Sequence, residues 1–392
     1  MKPALTVLEP GSDRNQGGGT GDMEEPSFHA PFNAALLHTA TSAYPNIPVT
    51  FKGFSRDVEV VKGILQRNAP QVAERVHWTA IKPLKSRSLP SRWIHNRSMI
   101  EEALRSEEYL LFTGISRLQL LQLKSAMGSK HHATVTFHGY IDSLEHPPKD
   151  RFPKSLFSMH RVLKQHKPAG LRYLFLSESI WRNIPPEFQQ AMTPAAVIDH
   201  PYNFAHVNVS TLRKEFVFGI FGNNWDGRLL ESVARAVKQQ NPDIRFRLVG
   251  YVQDEETVSR LAPFVEEVGS KPISRELYVQ RAKSVTHALW LAPVDSYRLR
   301  ASGKFFDALA FGTPFVYTAN PYIDLYFADA PEMGVRCATL NEVPEAILNL
   351  VRTETAEEYL SSQAAILSFR ERFTPERLAP RLREALQWSE LE

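Results

Sequence analysis

Two successive stretches of the chain alternate short β-branched or aromatic runs with segments whose apolar residues recur at helical spacing. This alternation constrains the fold most. Strands separated by helices pair in parallel, and the helices then cover both faces of the sheet. In the first stretch the strand candidates are Ala4–Leu8, Pro48–Lys52, Val76–Ile81, Tyr109–Thr113, Thr134–His138, Arg172–Leu176 and Ala196–Asp199. Helical patterns such as Phe32, Leu36, Leu37 and Ala40 lie between most of them. A polar segment without clear periodicity, about His200–Lys214, then interrupts the pattern. It restarts with a strand at Phe216–Phe221, a helix at Leu229–Gln239, a strand at Arg245–Val252, a helix at Glu255–Phe264 and a strand at Val265–Val268. A helix at Arg275–Lys283, a strand at Ala288–Leu291, a helix near Lys304–Phe311, a strand at Pro314–Thr318 and a helix from about Pro344 follow. Thr374-Pro375-Glu376 opens a last helix, with Thr374 suited to cap it and Pro375 to its first turn. The expected architecture is α/β: two doubly wound parallel-sheet domains in tandem, separated by a cleft. The expected bounds are 1–207, 208–373 and a C-terminal helix at 374–392 that packs back on the first domain.

Composition narrows the class. The 392 residues are 43% hydrophobic and 23% charged, ordinary values for a globular protein. Cys337 is the one cysteine, so an intrachain disulfide is excluded. No apolar run reaches the roughly 18 residues of a spanning helix, and the first twenty residues read as a strand and a glycine run rather than a leader. A cytoplasmic location is therefore expected. The net charge of +3 divides unevenly: residues 1–210 hold 24 Lys and Arg against 18 Asp and Glu, and residues 211–392 hold 22 against 25. A basic first half suits contact with an anionic surface or ligand.

In doubly wound sheets ligands bind beyond the carboxyl ends of the strands, so loops that follow strands are where chemistry is sought. The first such loop, EPGSDRNQGGGTGD at 9–22, has three consecutive glycines, Gly17, Gly18 and Gly19, which let backbone amides approach a phosphate or sugar. It also reads as a flexible turn. Neither G-x-G-x-x-G nor G-x4-G-K-[ST] occurs, which disfavours a dinucleotide site or a P-loop. The second loop, FGNNWDGRLLE at 221–231, places Gly222 and Asn223 between a strand and an amphipathic helix, with Arg228 in the opening turn of that helix. A surface ion pair is the other reading of Arg228.

The most informative stretch is SYRLRASGKFFDALAFGTPFV at 296–316. Ser302 can cap a short helix and Gly312 can end it. Lys304, beside Gly303 at the helix opening, can pair with a diphosphate. Asp307, one turn deeper, can accept hydrogen bonds from ribose hydroxyls. Arg298 and Arg300 add positive charge to the same loop. The alternative is a capped core helix with a Lys–Asp surface pair, which would not require this clustering of charge. In TVTFHGYIDS at 134–143, His138 ends a strand and Gly139 follows it; a strand-end histidine also serves as a plain structural residue.

These residues resemble a family. The second domain is similar to nucleotide-sugar-dependent glycosyltransferases of the GT-B type, with two Rossmann-like domains, and most to the large retaining group that includes sucrose synthases and bacterial mannosyltransferases. The resemblance rests on FGNNWDGRLLESVARA, RFRLVGYV, VEEVGSKPISRELYVQRAKSVTHALWLAP and SGKFFDALAFGTPFV, in order across 216–318, and on the terminal RFTPERLAPRLREAL. In the first domain it rests on the Gly-rich loop and TFHG. It implies that Gly17–Gly19 approach donor phosphates or acceptor, that His138 hydrogen-bonds the donor sugar, and that Arg228 and Lys304 neutralise the diphosphate. It further implies that Asp307 binds ribose and that the backbone of Lys271–Ile273 reads the base. The family often carries two glutamates eight residues apart. Here the second is Asp307 and the first position is Leu299, so sugar contacts are expected from backbone or from Arg298, Arg300 or Ser302.

The expected activity is retaining transfer of a hexose from a UDP- or GDP-sugar to a glycan or lipid-linked acceptor, in bacterial-type polysaccharide or glycoconjugate synthesis. No cofactor is expected. No D-x-D occurs, so turnover is expected without a metal. One alternative is an epimerase or hydrolase of the same fold, using Asp13, Asp22 and Glu24. The other is a non-catalytic carbohydrate-binding relative, favoured by the missing first glutamate. Two stretches, 75–97 and 149–172, are rich in Lys and Arg and nearly free of acids, which predicts peripheral contact with an anionic membrane. Aromatic residues are not interleaved as stacking platforms, so nucleic acid is not an expected partner.

Overall fold

The strands assemble into two separate, wholly parallel sheets. The computed structural model describes residues 4–11, 29–82, 88–106, 109–139, 141–145, 157–204, 215–222, 227–252 and 254–388. In the first sheet β1 (Leu5–Leu8), β2 (Val49–Phe54), β3 (Val76–Ile81), β4 (Tyr109–Phe112), β5 (His132–Phe137), β6 (Leu171–Phe175) and β7 (Ala195–Val197) lie in the order β3-β2-β1-β4-β5-β6-β7. The second contains β8 (Val217–Ile220), β9 (Arg245–Leu248), β10 (His287–Trp290), β11 (Phe315–Thr318) and β12 (Gly334–Cys337), in the order β12-β11-β10-β8-β9. β1, β4, β8, β10 and β11 are buried along their whole length. Sheets covered on both faces require such continuous apolar strands, which is why these runs stood out in the sequence.

Each sheet reverses its winding once, between β1 and β4 in the first and between β8 and β10 in the second. At such a point the connecting helices leave for opposite faces and open a crevice beyond the strand ends.

The chain divides into two units. One comprises 1–203, 298–301 and 372–392, and the other comprises 204–297 and 302–371. The first unit therefore draws on three stretches of chain. Its helix Ala30–Ala43 is buried almost all round, because helix Pro375–Leu386 covers it on one side. Leu382, Leu386 and Trp388 join Leu36, Leu37 and Ala40 in one core. His38 ties the two helices, with Nε2 3.2 Å from Glu376. In the second unit, helix Gly227–Gln240 and helix Val343–Thr353 pack Leu230, Val233, Val237 and Ile347 over β8, β9 and β11.

Three local expectations need correction. Val265–Val268 forms no strand. Glu266 makes a lone bridge to Arg247, and the backbone turns left-handed at Glu267 (φ 61°), which ends any ladder. Strand β12 was not expected, because GVRC is short and only its last residue is buried. Thr374 stands at the start of helix Pro375–Leu386 with Pro375 in the first turn, but its hydroxyl makes no capping hydrogen bond.

Candidate functional site

The second unit gathers several candidate residues at its winding reversal. β8 runs into Phe221 and then Gly222, whose φ of 72° suits glycine. Gly250, just past β9, lies directly against it: a Cβ there would stand 2.2 Å from the Gly222 carbonyl oxygen. The Lys304 side chain packs on the other side of Gly222, its Cγ 3.2 Å from where a Cβ would be. The lysine thus crosses the loop that follows β8. Its helix, Gly303–Ala310, starts in the open, since nothing lies within 4 Å of a Cβ built at Gly303. The partial positive charge of that helix end accompanies the lysine.

Asp307, one turn further along, is held by Tyr278, whose hydroxyl donates to Oδ2 at 2.7 Å. Tyr278 belongs to helix Arg275–Lys283, which is capped by the Ser274 hydroxyl accepting from the Leu277 N–H at 3.2 Å. Half-buried Ile273 immediately precedes that cap. The base-reading and ribose-binding candidates are therefore linked through one tyrosine. The loop after β10 is shaped from β11: the Asn320 amide donates to the carbonyls of Pro293 at 3.2 Å, Val294 at 3.3 Å and Ser296 at 2.6 Å.

Ser302 occupies the position before helix Gly303–Ala310, but its hydroxyl does not cap the helix. It is 1% exposed and accepts a hydrogen bond from Trp290 Nε1 at 3.2 Å, which removes it from ligand contact. Arg228 is exposed on the first turn of helix Gly227–Gln240. Arg298 and Arg300 are grouped with the first unit rather than with Lys304. There Arg298 pairs with Glu145 at 3.1 Å and Arg300 with Asp142 at 3.6 Å. Burial raises Asp142 to about 6, against the pull of Arg300. Leu299 between them is fully buried, an apolar anchor at the position where the family resemblance leads one to look for a glutamate. Gly17, Gly18, Gly19, Asn223, Asp13, Asp22 and Glu24 lie outside the described residues.

The first unit builds a different kind of site at its carboxyl edge. His138 follows β5 and stacks on Phe32, with ring centroids 4.5 Å apart and planes at 22°. His29 meets it edge-on with Nδ1 2.9 Å from the Nδ1 of His138, and His200 lies at 5.3 Å. Loss of hydration, then the two neighbouring imidazoles, holds His138 well below the usual histidine range. Burial brings His200 down to about 3. Beside this group, Glu9 at the end of β1 accepts from the Gly11 N–H at 3.0 Å, from the Asn33 amide at 3.0 Å and from the Thr113 hydroxyl. Sequence reasoning missed Tyr278, His29 and Glu9. A glutamate directly ending the first strand was the one available signal. Among the described residues no group of three His, Cys, Asp or Glu is placed to hold a metal ion.

Solved structures share this fold over nearly the whole chain. HepE of Anabaena, in complex with UDP and glucose, aligns with a TM-score of 0.64 at 13% identity, over 98% of this chain and 100% of that one. The chain has the GT-B fold. Sucrose-phosphate synthase from Thermosynechococcus elongatus aligns at 0.62 and 14% identity, over 99% and 98% of the two chains. WaaG, a glycosyltransferase involved in lipopolysaccharide biosynthesis, aligns at 0.60 and 10% identity, over 98% and 100%. No family model and no curated protein matches the sequence.

Proposed function

We propose that this GT-B protein transfers a hexose from a nucleoside diphosphate donor to a glycan or lipid-linked acceptor, with retention and without a metal. The observation that carries the reading is Lys304 lying across Gly222 at the winding reversal of the second sheet, beside an open helix start. Breaking the glycosidic bond leaves negative charge on the departing diphosphate, and a preorganised cation at the positive end of a helix stabilises it as it forms. Asp307, oriented by Tyr278, takes the ribose hydroxyls, and the backbone before Ser274 faces the base. Arg228 adds charge from the neighbouring helix opening. His138 addresses the sugar. HepE was solved with UDP-glucose, which favours a UDP-sugar over a GDP-sugar.

The test is thermal stabilisation by UDP, GDP and their sugars, followed by transfer assays. A ligand that binds only the folded state raises Tm, and more so at higher affinity and dose. UDP is expected to stabilise the wild type. Lys304→Ala is expected to abolish most of that shift and to lower kcat/KM by about 100-fold or more. An unchanged shift and unchanged turnover reject the assignment.

The first unit is the proposed side of membrane contact. On helix Leu89–Ser106, Ile94 is 68% and Leu89 46% exposed, close in sequence to Arg92 and Arg97. Lys85, Arg87 and residues 149–156 lie outside the described residues. No described helix is long and apolar enough to cross a membrane. Apolar side chains flanked by cations suit shallow attachment to an anionic leaflet, with about 1 kcal/mol from each basic residue. Co-sedimentation with phosphatidylserine vesicles should be strong at low salt and weak at high salt. Absence at low salt rejects the contact.

A further inference from the structure

The two histidines at the carboxyl edge of the first sheet constrain each other. Their Nδ1 atoms are 2.9 Å apart, a hydrogen-bond distance. Two bare lone pairs would repel at that distance, and two N–H groups would collide. One Nδ1 must therefore carry a proton and the other must accept it. The state of His29 then fixes the state of His138, whose proton sits either on Nδ1 or on Nε2. The ring is also held in place. Phe32 stacks under it, His29 meets it edge-on at 76°, and His200 tilts against it at 52°.

Sequence spacing explains why one local element supplies both restraints. His29 immediately precedes helix Ala30–Ala43, and Phe32 lies within the first turn. Asn33 follows in the same turn and is fastened to Glu9 by its amide. The first turn of this helix thus delivers a stacking face and a hydrogen-bonding nitrogen to the same imidazole, and β1 anchors the turn.

We propose that His29 is a positioning residue that, through the shared Nδ1 proton, holds His138 in the neutral tautomer complementary to its own, so that His138 Nε2 meets a substrate hydroxyl in a single hydrogen-bonding state. The role of His138 toward substrate rests on the glycosyl-transfer reading; the lock itself does not. A neutral histidine that exchanges tautomers presents a donor in one form and an acceptor in the other, so only part of the population matches a given hydroxyl. Fixing the proton removes that loss before substrate arrives. Only two charged rings would place protons on both facing nitrogens and break the pair, and burial disfavours charge on His138.

The deciding experiment is nitrogen-15 NMR of the imidazoles in the full-length protein. Wild-type His138 should show one protonated and one bare ring nitrogen. His29→Leu should give intermediate, averaged shifts. His29→Asn, whose amide reaches the place of the lost Nδ1, should restore the locked pattern and guards against a merely misfolded leucine variant. With UDP-glucose as donor, His29→Leu should lower kcat by about 10- to 100-fold, the range seen when a partner orienting a functional imidazole is lost. The donor KM should stay nearly constant, and His29→Asn should recover most of the rate. Averaged shifts in the wild type, or locked shifts in His29→Leu, overturn the inference. If the wild type neither binds nor turns over nucleotide-sugars, the glycosyl-transfer reading fails while the spectra still decide the tautomer.

Discussion

The two units apply similar sheet architecture to opposite electrostatic ends. In the second, the loops after β8 and β9 are so close that only glycine fits at Gly250, and a lysine and an open helix start add positive character. In the first, the carboxyl edge holds an aromatic stack in which burial keeps His138 and His200 neutral, next to a hydrogen-bonded glutamate. Under the proposed function, the second unit's arrangement takes the diphosphate and the first unit's arrangement orients uncharged hydroxyls. A parallel sheet supplies only the crevice; the residues just past each strand decide which chemistry occupies it.

The comparison can be broken most sharply at Gly250. Gly250→Ala forces a methyl group into the Gly222 carbonyl, backbone against backbone, and should cost about 2–4 kcal/mol. Hydrogen-exchange protection should fall around β8 and β9, UDP stabilisation should vanish, and β1 and β5 should stay protected. Loss spread evenly over both sheets would mean that the two ends are not independent.

A smaller effect should follow from pH. His138 and His200 have folded pKa values below the unfolded value, so below about 6.5 the unfolded chain binds protons that the folded chain refuses. Stability is therefore lost as pH falls from about 6.5. Each proton of difference contributes a slope of up to about 1.4 kcal/mol per pH unit. Denaturant unfolding between pH 7 and 5 should fall less steeply for His200→Gln than for the wild type, and parallel curves would contradict the neutral stack. The smallest effect is at Tyr278. Removing its hydroxyl leaves Asp307 less well oriented and should weaken UDP binding by about 1 kcal/mol, about fivefold, as titration calorimetry of Tyr278→Phe would show. If 2′-deoxy-UDP loses affinity equally on wild type and variant, Tyr278 does not act through the ribose.

Strands and most helices were legible because their signals are local. The runs at Val76–Ile81 and Arg275–Lys283 have the bounds that the sequence pattern indicates. Val265–Val268 misled because apolar β-branched residues mark a buried strand and a buried turn alike, and only the left-handed Glu267 separates them. At the sites, Lys304 and Asp307 stood out because a helix opening sets their spacing. Their partners did not: Tyr278 is 29 residues from Asp307, and His29 is 109 from His138. Arg298 and Arg300 seemed to belong with Lys304 because they are neighbours in sequence. Packing instead assigns their stretch to the other unit, around the fully buried Leu299.

The helix Pro375–Leu386 also bears on how this polypeptide is made. It roofs a helix some 340 positions earlier in the chain, since helix Ala30–Ala43 begins the first unit and the roofing helix closes it. A nascent chain leaving the ribosome would hold seven assembled strands with one face of helix Ala30–Ala43 bare until residues 375–386 had been made. The later unit, almost continuous from 204 to 371, would finish before the earlier one. Chaperone dependence during synthesis, and aggregation of chains terminated before residue 375, follow from that late-arriving roof.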